Sequence, residues 1–196
     1  MESLRSSLHA LMEQALQPLA RALAQRNITP NQVSILGMLL NLSAAVLIVN
    51  GYLIAAGLVF VIAGLLDLLD GALARLGHSA SPEGAFLDST LDRISEGLVF
   101  AAIAYVVASQ GRAVDAALVV LVLLGSMLVS YTRARAAALG VECKVGLATR
   151  AERVILIAVG LLFGVLTPVL YVLLVLTAIT VAERIFYTLN QLRERE

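Results

Sequence analysis

The sequence predicts an all-α integral membrane bundle: six transmembrane helices preceded by an amphipathic interfacial helix. Two observations carry that prediction. Of 196 residues, 60% are hydrophobic and only 14% charged, against roughly one half and one quarter in soluble domains. Mean hydropathy is +0.91, and apolar runs of about 20 residues, long enough to cross a bilayer, follow one another with short breaks. Six such runs leave chain for one further helix and for no soluble domain. Residues 1–196 are therefore expected to form one membrane-embedded domain, with 1–28 juxtamembrane and 29–196 the six-span bundle.

The opening segment mixes both signs of charge, unlike a removable signal peptide with its basic start, apolar run and cleavage site. Leu4, Leu8, Leu11, Ala15, Leu19 and Leu23 recur at steps of three or four, with Glu2, Arg5, Glu13, Gln17, Arg21 and Gln25 on the other side. That is the pattern of a helix lying in the membrane surface. Spans are expected near residues 33–50, 52–75, 84–109, 114–137, 148–166 and 169–189. The breaks fall at Asn50-Gly51, from Gly77 to Glu83 through Pro82, at Gln110-Gly111 and from Gly140 to Gly146. A last break at Thr167-Pro168 divides an apolar stretch of 29 residues that begins at Val154, because proline and glycine punctuate helices.

Fourteen basic residues balance fourteen acidic ones, so nothing in the overall charge suits nucleic acid. Their placement is informative. The turns near Gly51 and Thr167 hold no basic residue, and of the fourteen only Arg112 falls on the same side of the bundle. By the positive-inside rule the opposite side is cytoplasmic, with both termini and any charged site facing the cytosol of the cell membrane. Cys143 is the single cysteine. It excludes an intramolecular disulfide and multi-cysteine metal motifs, and fits a free thiol in a reducing compartment.

Of five aspartates, Asp67, Asp70, Asp88 and Asp92 lie within 26 residues at the inner ends of the second and third spans. Separations of three and four put each pair on one helix face, and the short connection through Pro82 is expected to set the two helices side by side. Four ionised carboxylates at membrane depth repel and resist desolvation unless protons or cations neutralise them. Hard oxygen donors without histidine or thiol suit Mg2+ or Mn2+, and two such ions fit four carboxylates. Since magnesium prefers substrate phosphates for its remaining ligands, the cluster points to phosphate chemistry. The alternatives are solvated helix ends and a cation or proton pathway in a transporter. Gly71, Ala74 and Gly84 leave room beside the carboxylates, and Arg75 places a guanidinium near any bound phosphate. His78 is a loop residue.

The stretch LLDLLDGALARLGHSASPEGAFLDSTLDR resembles the signature of the CDP-alcohol phosphotransferases, D-x2-D-G-x2-A-R-x8-G-x3-D-x3-D. Asp67, Asp70, Gly71, Ala74, Arg75, Gly84, Asp88 and Asp92 occupy every fixed position. The resemblance implies transfer of a phosphoryl-alkyl group from a CDP-linked lipid to an alcohol, with release of CMP. It also implies divalent metal on all four aspartates, Asp92 as proton acceptor, and a homodimer. Its CDP-lipid site corresponds here to Asn31, Gln32, Val33, Ser34, Gly71, Arg75 and Ser81. Thr29-Pro30-Asn31 equally suits helix initiation.

The segment SYTRARAAALGVECKVGLATRAERVILI, with VAERIF near the end, resembles the phosphatidylinositol-phosphate synthases within that family, or their archaetidyl counterparts. The matching positions are Ser130, Arg133, Arg150, Arg153 and Arg184. Arg133 stands where lysine is common, and Thr149 where an acidic residue is frequent. The resemblance implies that these residues hold a phosphorylated acceptor, whose two negative charges suit bidentate guanidinium groups. Inositol phosphate is the expected acceptor, and glycerol 3-phosphate is the nearest rival.

Overall fold

The computed structural model describes residues 15–76 and 81–195, and all of its regular structure is helical. Helix α1 is described over residues 15–25. It is followed by α2 (Pro30–Val49), α3 (Leu53–Leu76), α4 (Pro82–Ser109), α5 (Ala113–Ala138), α6 (Arg150–Leu162) and α7 (Leu166–Arg193). The expected stripe from Leu4 to Leu11 and the loop residue His78 lie outside the described residues.

Local chemistry explains where the helices start. Thr29 Oγ1 accepts from Gln32 N at 3.3 Å while Gln32 Oε1 accepts from Thr29 N at 2.9 Å. This reciprocal capping box, with Pro30 in the first turn, opens α2. Ser81 Oγ likewise accepts from Gly84 N at 3.0 Å ahead of Pro82 and opens α4. Gly51 and Gly111 take positive φ angles of 82° and 74° at the predicted breaks.

The last break lies elsewhere than expected. α6 ends at Leu162, Gly164 turns the chain with φ 67°, and Thr167-Pro168 sit inside the first turn of α7. Proline interrupts a helix only where its nitrogen would have to donate a hydrogen bond, and in a first turn nothing asks it to. α6 is consequently 13 residues long, about 20 Å at 1.5 Å per residue, shorter than the hydrocarbon core.

α2, α3, α5 and α7 are each long and apolar enough to cross a membrane. α4 has the length, at 28 residues, but its inner half holds Glu83, Asp88, Asp92, Arg93 and Glu96. The outer faces expose Leu36, Leu58, Ile62, Leu121, Val172 and Val175, apolar surface that belongs in lipid. This is an all-helical integral membrane protein.

The six long helices form a closed ring, each packing on two neighbours in the order α2, α3, α6, α7, α5, α4 and back to α2. This corrects the expectation that the second and third spans lie side by side. Among the described residues α3 and α4 do not pack on one another, because α2 stands between them. Gly37 of α2 faces α3 at this contact, where a Cβ would lie 3.8 Å from Ala63 O, an ordinary packing distance. The main core joins Ile48, Phe60, Phe100, Val122, Leu161 and Leu173 at the middle and outer end of the ring. At the inner end α1 lays Leu16, Ala20 and Leu23 against Val33, Leu69 and Leu73. Of the predicted apolar stripe Leu23 packs on the bundle, whereas Leu19 is 49% exposed and points outward.

Candidate active site

α3 and α4 face each other across the inner end of the ring, and their short acidic side chains meet in the space that α2 keeps open. One carboxylate oxygen from each of Asp67, Asp70 and Asp88 lies within 4.8 Å of the others. Asp70 is buried at 5% exposure, and its Oδ2 accepts from Ser34 Oγ at 2.7 Å. Asp92, one turn beyond Asp88 on α4, shares a cavity lined also by Asn41, Asp67, Asp70, Asp88 and Arg150. Arg150, at the start of α6, ion-pairs with Asp67 through Nη1 and with Asp92 through Nη2, the latter at 2.7 Å. Arg93 Nη1 lies 3.5 Å from the other Asp92 oxygen.

The residues fit a divalent cation. All the charged donors are carboxylate oxygens, which suit Mg2+ and Mn2+. Three like charges so close and so shielded from water call for a cation between them. Asn41, which lines the same cavity and is buried at 7% exposure, donates through Nδ2 to Gly37 O at 3.0 Å, while its Oδ1 has no protein partner.

The positions expected for the CDP-lipid are divided by the structure. Asn31 and Ser81 meet at Gly84, where a Cβ would lie 3.2 Å from Asn31 Oδ1 and 3.2 Å from Ser81 Oγ. A side chain at Gly84 would press on both. Gly71 lies beneath the Arg75 guanidinium, whose Nη1 would be 3.5 Å from an added Cβ. Ser34 faces the aspartates. Gln32 spends its side chain on the cap of α2, and Val33 packs against Ala20, Leu69 and Leu73.

The arginines expected at the acceptor's phosphate differ in exposure and in what they bind. Arg153 is 1% exposed and bound to Glu96, with Nε at 2.9 Å from Oε1 and Nη2 at 3.1 Å from Oε2. Arg184 is 3% exposed. Its Nε donates to Val145 O at 2.9 Å and its Nη1 to Val129 O. Buried acceptors have claimed both guanidinium groups, as burial of a charge requires. Arg133 is exposed, Ser130 is half-buried on the same helix, and Arg150 turns toward the aspartates. Sequence reasoning missed Asn41, Ser95, Glu96 and Ser126. The signal was available, since a polar side chain within an apolar span needs a partner or a task.

Residues 27–185 match the family model described as CDP-alcohol phosphatidyltransferase. The chain is 36% identical over 182 residues to the archaetidylinositol phosphate synthase of Pyrococcus horikoshii, covering 92% of this chain and 94% of that one. To the phosphatidylinositol phosphate synthase of Mycobacteroides abscessus it is 35% identical over 176 residues, covering 85% and 80%. Its fold resembles the crystal structure of Mycobacterium tuberculosis phosphatidylinositol phosphate synthase with CDP-DAG bound. The TM-score is 0.81 at 31% identity, with 89% of this chain and 94% of that one covered. The same enzyme in complex with manganese and citrate gives 0.79 at 32% identity, covering 88% of each chain. Each fixed position of the signature, the gathered aspartates and the breadth of these matches agree: the chain is an enzyme and belongs to the CDP-alcohol phosphatidyltransferase family.

Proposed function

We propose that this enzyme transfers the phosphatidyl or archaetidyl group of a CDP-linked lipid to a hydroxyl of inositol phosphate, releasing CMP. The observation that carries this reading is the meeting of Asp67, Asp70 and Asp88 within 4.8 Å, with Asp92 one turn further along α4. The names of the relatives support the acceptor. Bound Mg2+ or Mn2+, two ions over four carboxylates, would neutralise the pyrophosphate and the charge that develops on departing CMP.

The remaining work falls to the chain's own groups. Asn31, Gln32, Ser34, Gly71, Arg75 and Ser81, with the backbone of Val33, form the bed for the cytidine diphosphate around the inner ends of α2, α3 and α4. Asp92 takes the proton of the attacking hydroxyl. Oxygen then attacks the lipid-linked phosphorus in line with the departing CMP oxygen, so no covalent enzyme intermediate is needed. Ser130, Arg133 and Arg150 offer donors to the acceptor's phosphate, and Arg153 and Arg184 support them from within the bundle.

The same reading makes residues 1–196 one domain with six crossings, both termini and the site on the cytoplasmic side. α4 and the short α6 complete the crossings, and two copies form a homodimer. The distribution of basic residues supports the sidedness. Purified protein incubated with Mn2+, CDP-diacylglycerol or CDP-archaeol, and inositol phosphate or glycerol 3-phosphate tests the reaction. CMP should appear with inositol phosphate. Release with glycerol 3-phosphate alone overturns the acceptor, and no release with any combination overturns the reaction.

A further inference from the structure

α6 does not pack on α4, and the ring places α3 and α2 on one side of the gap between them and α7 and α5 on the other. Two ion pairs bridge that gap. Arg150 reaches Asp92 at 2.7 Å and Arg153 reaches Glu96 at 2.9 Å. The spacing of three on α6 and four on α4 makes each pair neighbours on its own helix face, so the bridges form consecutive rungs. The upper rung consists of groups with work in the reaction, and its contacts must change as the hydroxyl and phosphate of an acceptor arrive. The lower rung is buried. Ser126 of α5, itself 0% exposed, donates to Glu96 Oε1 at 2.6 Å.

The lower rung also fixes the chain that leads into α6. Thr149 caps α6 without a side-chain hydrogen bond to the helix backbone. Separately, Arg153 Nη1 donates to Ala148 O, just before the helix, at 3.2 Å. On the other side of that loop Thr180 Oγ1 accepts from Leu147 N at 3.1 Å and Ala148 N at 2.9 Å. A buried ion pair adds little net stability over a well-packed apolar pair, because desolvation cancels most of the attraction, whereas its geometry is sharply defined. A cavity of about 20 Å³ on the α2 and α3 side of the rungs is lined by Asn41, Phe60, Gly64, Asp92, Glu96 and Arg150, among others. It is large enough for one water, so the upper rung has room to rearrange while the lower one stays closed.

We propose that Glu96 is a positioning residue for the acceptor end of the site. With Ser126 it holds Arg153, and through Arg153 it sets the first turn of α6, from which Arg150 addresses Asp67, Asp92 and the acceptor's phosphate. This rests on the reaction proposed above and gives Arg153 an indirect role in it.

The test compares wild type with E96Q, E96D, R153M and the charge-free double variant E96L/R153M. The phosphorylated acceptor is whichever of inositol phosphate and glycerol 3-phosphate the wild type consumes. A wrong acceptor therefore shows in the wild type, and a wrong role for Glu96 in the ratio of variant to wild type. Thermal unfolding, Mn2+ affinity by electron paramagnetic resonance, and separate KM values for lipid and acceptor are measured. E96Q and E96L/R153M should raise the acceptor KM about tenfold or more, the scale of a displaced positioning contact. Mn2+ affinity and the lipid KM should stay within about twofold, and E96D should recover part of the loss. The double variant leaves no unpaired buried charge, so it decides if E96Q fails to fold. An acceptor KM unchanged in the folded double variant overturns the proposal, as does a parallel fall in every parameter or the unfolding of both variants. E96Q with a normal acceptor KM beside R153M with a raised one returns Arg153 to direct phosphate contact, and overturns it equally.

Discussion

The Ser34 hydroxyl donates to Asp70 Oδ2 at 2.7 Å and ties the second turn of α2 to the acidic face of α3. Asp70 is the most deeply buried of the four aspartates, and this bond holds one of its two carboxylate oxygens. Groups that orient a ligand from behind commonly change metal affinity by about 10- to 100-fold when removed. Ser34→Ala should weaken Mn2+ binding on that scale while leaving the fold intact. A Mn2+ titration followed by electron paramagnetic resonance checks this, and wild-type affinity in the variant would confine Ser34 to helix packing.

Asp92 is not one of the three carboxylates that gather within 4.8 Å, and its oxygens face Arg150 and Arg93. Removing its charge should therefore spare much of the metal site and remove the proton acceptor. Asp92→Asn is expected to lower turnover by about 10²- to 10⁴-fold, the usual contribution of a positioned base. Mn2+ and CDP-lipid should still bind. Single-turnover CMP release, measured beside the Mn2+ titration, separates the two effects, and near-normal turnover would assign the proton to another group.

The acidic site was readable because spacings of three and four on a helix leave little freedom: Asp67 with Asp70, and Asp88 with Asp92, must share a face wherever the helix goes. What those spacings do not contain is the neighbour relation between helices. α2 packs on both α3 and α4 and separates them, a fact of tertiary packing and not of loop length. The end of α6 went astray for a different reason. Proline is the stronger breaker on paper, but at Pro168 the first turn of α7 absorbs it and Gly164 makes the turn. The arginines show the same limit. A guanidinium in an apolar span announces that it needs an acceptor, and only the fold tells whether that acceptor is a substrate phosphate, Glu96, or the carbonyls of Val129 and Val145.

Sidedness is open to direct test because the two ends of the bundle differ in accessible positions. Tyr52 is 63% exposed beside the Gly51 turn, Gln110 is exposed at the end of α4, and the Lys144 side chain is 70% exposed in the loop before α6. In a Cys143→Ser background, Tyr52→Cys and Gln110→Cys should react with a membrane-impermeant maleimide in intact cells. Lys144→Cys should react only in inside-out vesicles. Labelling of Lys144→Cys in intact cells would reverse the orientation that the basic residues imply.

The last prediction concerns the wall of the ring opposite α2. Gly125 of α5 lies against Thr177 of α7 so closely that a Cβ would fall 2.5 Å from Thr177 Oγ1 and 3.0 Å from its Cβ. Thr177 cannot move aside, being 0% exposed with its hydroxyl bonded to Leu173 O at 2.7 Å. One turn further along α5, Val129 O receives Arg184 of α7, so any widening at Gly125 also strains that bond. Gly125→Ala should therefore cost about 1–3 kcal/mol, the range for an overpacked methyl in a tight core. It should lower the unfolding midpoint of the detergent-solubilised protein. Adding Thr177→Ala removes the nearer of the two colliding atoms, Oγ1, and leaves Cβ at 3.0 Å, so the double variant should regain part of the loss. If Gly125→Ala unfolds at the wild-type temperature, the close crossing of α5 and α7 does not hold the ring together there.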